Sequence, residues 1–552
     1  MKSTILKLLC LMLSVCILLS ATSCDLIKGS DKREEESDDR EDREEKKTKA
    51  ETEMPTEAPT EAPTEAPTEA PTEAPTEAPT EAPTEAPTEA PTEAPTEAPT
   101  EAPTEAPTEE PTNPVETPYV DPADYDDEFV VVYCGDTYKT NHYFVNPENI
   151  GLGSVIDAAA YEREIMVEEY LGVDIKGVNG GSLMNYTYGF KENVMVGDDD
   201  FQMIMTHTYM DVPSLISQNI LLDMNELDNS LNLRGDYWNA QLMEDLSLDG
   251  KMYLGYSDFL VPQSYVVTFN KDMYAEYEAV GGNLYDAVRN RQWTLDKMAS
   301  IASLVQSSGE NRDYGFAAQA WVPLVSFIPG ADQKIVDKNM ETGEFYVCAA
   351  VDSAKTKSVY QWVYDLCNAD NAYVWAPLEN MKKPTEEIPF SSGRVLLSLE
   401  DTQKLALDRD EINFGILPYP LYDTNQTAYR SLNWGGLLGV SSSIRNRDMV
   451  GDVMEMLAFY SRDIQEAFCE EVLDAPVSEV PDDADMMRLI QKSTVSDLGL
   501  VLSCLSYNVD AMVWMTPQLV TCEDTREIDT HLRKNIKQAT GTLIKFHREI
   551  CA

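Results

Sequence analysis

Histidine is scarce in this sequence, with four in 552 residues. Catalysis by a serine or cysteine nucleophile therefore has few imidazole bases to draw on. The nucleophile elbow Gly-x-Ser-x-Gly, the metalloprotease pair His-Glu-x-x-His and the phosphate cradle Gly-x-x-x-x-Gly-Lys are all missing. Positive charge is equally short: 42 Lys plus Arg face 97 Asp plus Glu, a net charge of -55. The deficit is shared. Upstream of Asp121 there are 29 acids and 10 bases, and the remaining 432 residues hold 68 and 32. A body this acidic is repelled by phosphate backbones, so no nucleic-acid partner is expected. Long apolar runs are confined to the N-terminus, so no later segment can span a bilayer. Beyond residue 120 seven cysteines stand far apart: Cys134, Cys348, Cys367, Cys469, Cys504, Cys522 and Cys551. They form no Cys-x-x-Cys pair, so neither a structural zinc site nor any other metal or cofactor is expected. Isolated buried thiols fit that spacing, and a disulfide stays open.

What is present begins with an address. Lys2 and Lys7 precede the apolar run Leu8 to Leu19, and Ala21, Thr22, Ser23 and Cys24 follow. A charged start, an apolar middle and a small-residue site make an export signal, too short for a stable span. The small residues before Cys24 resemble the lipobox of bacterial lipoproteins, with Ala21 where leucine is commonest. That resemblance implies cleavage before Cys24 and lipid on its sulfur; an ordinary secretory peptide is the alternative.

Residues 25–54 carry 13 acids and 8 bases with almost no apolar content, and should stay solvated. From Pro55 to Thr112 a Pro-Thr-Glu-Ala unit repeats, placing fifteen prolines at every fourth position. Each removes a donor, fixes φ and biases its predecessor away from the α region. The segment 55–120 therefore reads as a disordered, extended stalk, whose repeat at about 3.1 Å per residue reaches up to roughly 180 Å. A slippage-expanded repeat with no length requirement is compatible with the same residues. Anchor and stalk together point to the outer face of the cell membrane of a thick-walled bacterium.

The remainder, 121–552, holds 47 of the 48 aromatic residues and is long enough for two lobes. Phe129 to Tyr133 reads as a buried strand ended by the turn Cys134-Gly135-Asp136. Val155 to Leu171 has apolar residues at helical spacing, and Gly172 can cap it. Val173 and Ile175 alternate as a second strand. Asp198-Asp199-Asp200 makes a polar turn before a strand at Phe201 to Met205. Strand–helix–strand order favours a parallel sheet with helical crossovers. Val450, Val453, Met454 and Leu457, and later Ile528, Leu532, Ile536 and Ala539, line single faces of core helices.

Seven segments stand in order: Phe201-Gln202-Met203-Ile204-Met205; Leu221-Leu222-Asp223-Met224; Asp249-Gly250-Lys251-Met252-Tyr253; Val266 to Met273; Trp293-Thr294-Leu295-Asp296; Gly393-Arg394-Val395-Leu396-Leu397; and Phe414 to Pro420. Together they resemble the extracellular solute-binding proteins of ABC importers, in the group that includes sugar binders. In the fifth of these, at Trp293-Thr294, the threonine follows the tryptophan, a small displacement from the family pattern. Local physics supports them: Gly250 permits a tight turn, Thr294 can cap a helix over Lys297 and Met298, and Pro418 and Pro420 end a strand.

The resemblance implies an α/β, two-lobe, periplasmic-binding-protein-like fold of type II. Lobe one would run over about 128–264 and 436–510, lobe two over about 266–433, with C-terminal helices at 511–552. The chain would cross near Ser264 to Thr268 and return through Trp434-Gly435-Gly436. Candidate cleft residues then follow from loops at strand ends, where open α/β sheets present ligand groups. They are Asp136, Tyr138, Thr206, His207, Tyr209, Tyr256, Asp258, Trp321, Glu400, Asp401, Trp434, Gly435 and Trp514. Flat rings suit the CH faces of a sugar and carboxylates or amides its hydroxyl rim. The expected partners are a small-molecule solute, best an oligosaccharide, and an ABC permease, with the chain a monomer. A peptide or cationic solute is the alternative cargo. A glycoside hydrolase, needing only two carboxylates, and a stalked adhesin are the alternative functions.

Overall fold

The computed structural model describes residues 120–134, 155–182, 185–209, 211–227, 230–261, 263–350, 353–376, 383–402, 404–405, 412–515 and 528–551. Cys24, the whole span 25–119, Asp136, Tyr138 and Cys522 lie outside them. Among the described residues no helix is long and apolar enough to cross a membrane.

The first sheet has four strands in the order β12-β3-β1-β2. Here β1 is Asp127–Tyr133, β2 Val173–Asn179, β3 Met203–His207 and β12 Gly436–Val440. Strand β1 pairs in parallel with β2 and β3, whereas β12 runs antiparallel to β3, with Leu437 opposite Thr206. The apolar run Phe129–Val132 is buried, as a strand covered on both faces requires. Helix Val155–Leu171 makes the crossover from β1 to β2. It ends at Gly172, whose φ of 61° lets its N–H donate back to Glu168 O at 2.9 Å.

The second sheet has five strands in the order β10-β4-β9-β5-β8. They are β4 Tyr265–Asn270, β5 Tyr314–Gln319, β8 Ala372–Trp375, β9 Val395–Asp401 and β10 Phe414–Leu417. Strands β5, β8 and β9 are mutually parallel, β4 runs against β9, and β10 runs against β4. The two sheets share one plan. A parallel trio (β2-β1-β3 and β8-β5-β9) is extended by an antiparallel strand that begins just after the chain has crossed from the other lobe. The body is therefore two-lobed α/β.

The crossings are tied to one another. Trp434 N–H donates to Gln263 O at 2.8 Å, and Thr402 N–H donates to Ser264 O at 3.0 Å. A short parallel pair, β11 (Ser431–Leu432) with β13 (Thr494–Val495), brings in a third segment, and Asn433 N–H donates to Val495 O at 2.8 Å. At Gly435 a Cβ would stand 2.7 Å from Gln263 Cβ, so the two crossing chains approach too closely for any side chain there.

A hairpin inserted in the second lobe, β6 (Val336–Lys338) with β7 (Phe345–Val347), reaches to helix Ala240–Leu246 from the first. The buried Lys338 ammonium donates to Ser247 O at 2.7 Å, to Ser247 Oγ at 2.6 Å and to Glu244 O. Lys334 pairs with Asp245 at 3.1 Å. A cation at this helix C-terminus is favoured by the negative end of the helix dipole. The long helix Ile528–Ile550 packs against β7 through Phe345 and Phe546.

Candidate functional site

Four aromatic side chains converge where the sheets meet. His207 ends β3 of the first lobe. Tyr265 opens β4 of the second, Trp321 follows β5 at the head of helix Val322–Gly330, and Trp434 stands on the return crossing. The rings of Trp321 and Trp434 lie 5.2 Å apart, tilted by 35°. Tyr265 sets its edge on Trp321 at 5.4 Å and lies 6.0 Å from Trp434, and His207 meets Trp434 edge-on at 5.8 Å. Offset and edge-to-face contacts at these separations are favourable beyond the area they bury. Trp434, at 6% exposure, and His207 are covered, whereas Trp321 and Tyr265 keep part of their surface in solvent.

Polar groups rim the rings. Tyr265 and Asp401 are register partners across β4 and β9, and Gln263 Nε2 donates to Asp401 Oδ2 at 3.1 Å. The buried Oε1 of Gln263 has no hydrogen-bond partner among the described residues. Thr208 Oγ1 donates to Trp434 O at 3.0 Å and Thr208 N–H to Gly435 O at 3.1 Å, joining β3 to the crossing. His207 Nδ1 accepts from Tyr209 N–H at 3.2 Å, and burial drives the imidazole pKa down to about 4. The ring is therefore neutral at pH 7, with Nε2 carrying the proton. Tyr209 Oη donates to Asp510 Oδ1 at 3.4 Å, and burial, opposed by that bond, pushes the Asp510 carboxyl up to about 6.

His207, Tyr209, Trp321, Asp401, Trp434 and Gly435 thus share one neighbourhood. Other candidates stand elsewhere. Thr206 is buried inside β3, where its hydroxyl meets Tyr186 Oη at 3.0 Å. Tyr186 Oη also accepts from His207 N–H at 2.9 Å, so the pair supports the backbone under His207. Glu400 neighbours Asp401 in sequence but points to the opposite face of β9, because side chains alternate along a strand. There it accepts from Ser398 Oγ at 2.6 Å and pairs with Lys404 at 3.1 Å. Trp514 lies in the helical turn Ala511–Met515. Tyr256 and Asp258 line a different cavity of about 420 Å³, with Trp238, Arg462 and Gln465. Burial pushes the Asp258 carboxyl up to about 7, against the pull of Arg462, with Asp236 adding to the rise.

No protein-family model and no curated protein matches the sequence. Solved structures do. An ABC substrate-binding protein from Listeria monocytogenes in complex with cycloalternan is 12% identical, covering 75% of this chain and 99% of that one at a TM-score of 0.47. UgpB from Mycobacterium tuberculosis in complex with glycerophosphocholine is 12% identical, with coverage of 74% and 97% and a TM-score of 0.48. The maltose-binding periplasmic protein of Listeria monocytogenes, in complex with maltose, is 12% identical, with coverage of 76% and 97% and a TM-score of 0.47.

Tyr265 and Gln263 complete the group and were not among the sequence candidates. The signal that could have found them is their place: both flank Ser264 at the first crossing, which the sequence does locate.

Proposed function

We propose that this protein captures a dissolved solute, best an oligosaccharide, between its two lobes and presents it to an ABC importer. The observation that carries the reading is the convergence of Trp321, Tyr265, Trp434 and His207 at the lobe junction beside Asp401 and Gln263. Aromatic rings offer flat apolar surface to sugar CH faces. The carboxylate and amide offer acceptors and donors to hydroxyls. The rings come from both lobes and from the crossing between them. A ligand that touches all of them binds the closed arrangement better than an open one, and so shifts the population toward closure. Capture of this kind requires no bond to be made or broken, and the site's proposed role is binding rather than catalysis. Cys24 would carry the lipid anchor and the Pro-Thr-Glu-Ala segment would hold the lobes away from the membrane surface. Calorimetric titration of the protein with linear and cyclic oligosaccharides tests the reading. One-to-one binding with the sugar recovered intact supports it, and shortened product or binding only to basic peptides overturns it.

A further inference from the structure

At the end of the last helix three side chains of different elements meet: Asp249, His547 and Cys551. Their ligand atoms all lie within 4.8 Å of one another. Asp249 sits in the two-residue turn between Leu248 and Lys251, whose backbones exchange hydrogen bonds at 3.0 and 3.1 Å. His547 and Cys551 are four residues apart, and Cys551 N–H donates to His547 O at 3.1 Å. The helical register therefore holds until Cys551 and sets both side chains on one face. His547, at 9% exposure, is oriented by the edge of Phe345, 5.3 Å between centroids. The hairpin turn closes over it at Gly343, where a Cβ would stand 3.0 Å from His547 Nε2 and 3.5 Å from an Asp249 oxygen. Glycine at φ 69° leaves that space open.

We propose that Asp249, His547 and Cys551 form a site for a zinc-like divalent cation, with its fourth position open to water. The spacing suits this ion. With bonds of about 2.0–2.1 Å to nitrogen and 2.3 Å to sulfur, a tetrahedral zinc ion separates the two ligand atoms by roughly 3.5 Å. The His547 Nε2 to Cys551 Sγ distance is 3.5 Å. An imidazole, a thiolate and a carboxylate are the donor set of a borderline-soft ion rather than of calcium or magnesium, which take oxygen. Asp249 and Cys551 are exposed, so an ion has a path in and a water can complete its shell. Binding displaces the thiol proton to solvent and leaves a thiolate on the metal. The cation would tie the turn of the first lobe to the terminal helix that also packs on the second lobe's hairpin.

The test is Co2+ and Zn2+ titration of the full chain under reducing conditions. One ion per chain is expected, and the cobalt form should show a thiolate-to-metal absorption band in the near ultraviolet. Cys551→Ser should abolish the band and weaken binding by more than about tenfold. Asp249→Asn and His547→Gln should each weaken it, and Cys504→Ser, removing the other exposed thiol among the described residues, should leave both readouts unchanged. Cys551 is exposed, so its variant should keep the circular-dichroism spectrum of the parent. Absence of one-to-one uptake by the parent, or a band that survives in Cys551→Ser, overturns the proposal.

Discussion

The four rings at the lobe junction differ in how much solvent they keep, and that difference separates binding from stability at single residues. Trp434 is covered by Trp321, Tyr265 and His207. Its removal opens a cavity, at a cost of about 3–5 kcal/mol for a large aromatic, so stability and affinity should fall together. Trp321 keeps an exposed face. Trp321→Ala should cost about 1–3 kcal/mol of oligosaccharide affinity with a much smaller shift in melting temperature; equal damage to both would place Trp321 in the core. His207 supplies a pH signature. Its unfolded pKa is near 6.5 and its folded value about 4. Between these the unfolded chain binds more protons, so this group withdraws stability as pH falls from about 6.5 to about 4. Asp510, raised to about 6, acts in the opposite sense over an overlapping range. Urea midpoints at pH 7 and pH 5 should therefore shift toward greater acid tolerance in His207→Gln. An unchanged pH dependence would mean that the imidazole does not titrate as its burial requires.

At the scale of elements, the close approach of the crossings makes Gly435 a sensitive point. Gly435→Ala forces Gln263 aside and should destabilise by about 1–3 kcal/mol, measured by urea unfolding. No loss would mean that the two crossings are looser than their 2.8 Å hydrogen bond indicates. Much of this level is legible from residues. Helix Val155–Leu171 announces itself by apolar spacing and a terminal glycine. The Thr294 cap over Lys297 forms at 3.2 Å, and the Asp249-Gly250 turn forms with Gly250 at φ 76°. The misses have local causes. Strand β3 runs from Met203 to His207, two residues beyond the expected Phe201 to Met205, because β12 pairs with its polar end. Glu400 and Asp401 read as a loop after a strand, but β9 includes them, and alternation then divides the pair between two faces. Tyr256 and Asp258 follow the same turn that predicts a cleft loop, yet Gly255 pairs with Leu438 and turns them toward another cavity. The imidazole–thiol pair at His547 and Cys551 escaped a search for Cys-x-x-Cys spacing because helical register, not a knuckle, brings it together.

At the scale of the whole molecule, sheet plan and site share one cause. Each lobe extends its parallel strands with a strand that enters from a crossing, so the crossings lie beside the parallel strands and the rings collect between the lobes. Closure around a ligand should then be a rigid-body motion about the tied segments at Gln263–Ser264, Asn433–Trp434 and Thr494–Val495. The most direct measurement of that account is a calorimetric titration against a panel of oligosaccharides, run in parallel on the parent protein and Trp321→Ala. The account predicts one-to-one saturable heat from at least one sugar, at least fivefold weaker binding in the variant, and sugar recovered uncut. A parent protein that releases no heat with any member of the panel, or that returns shortened sugars, would contradict it.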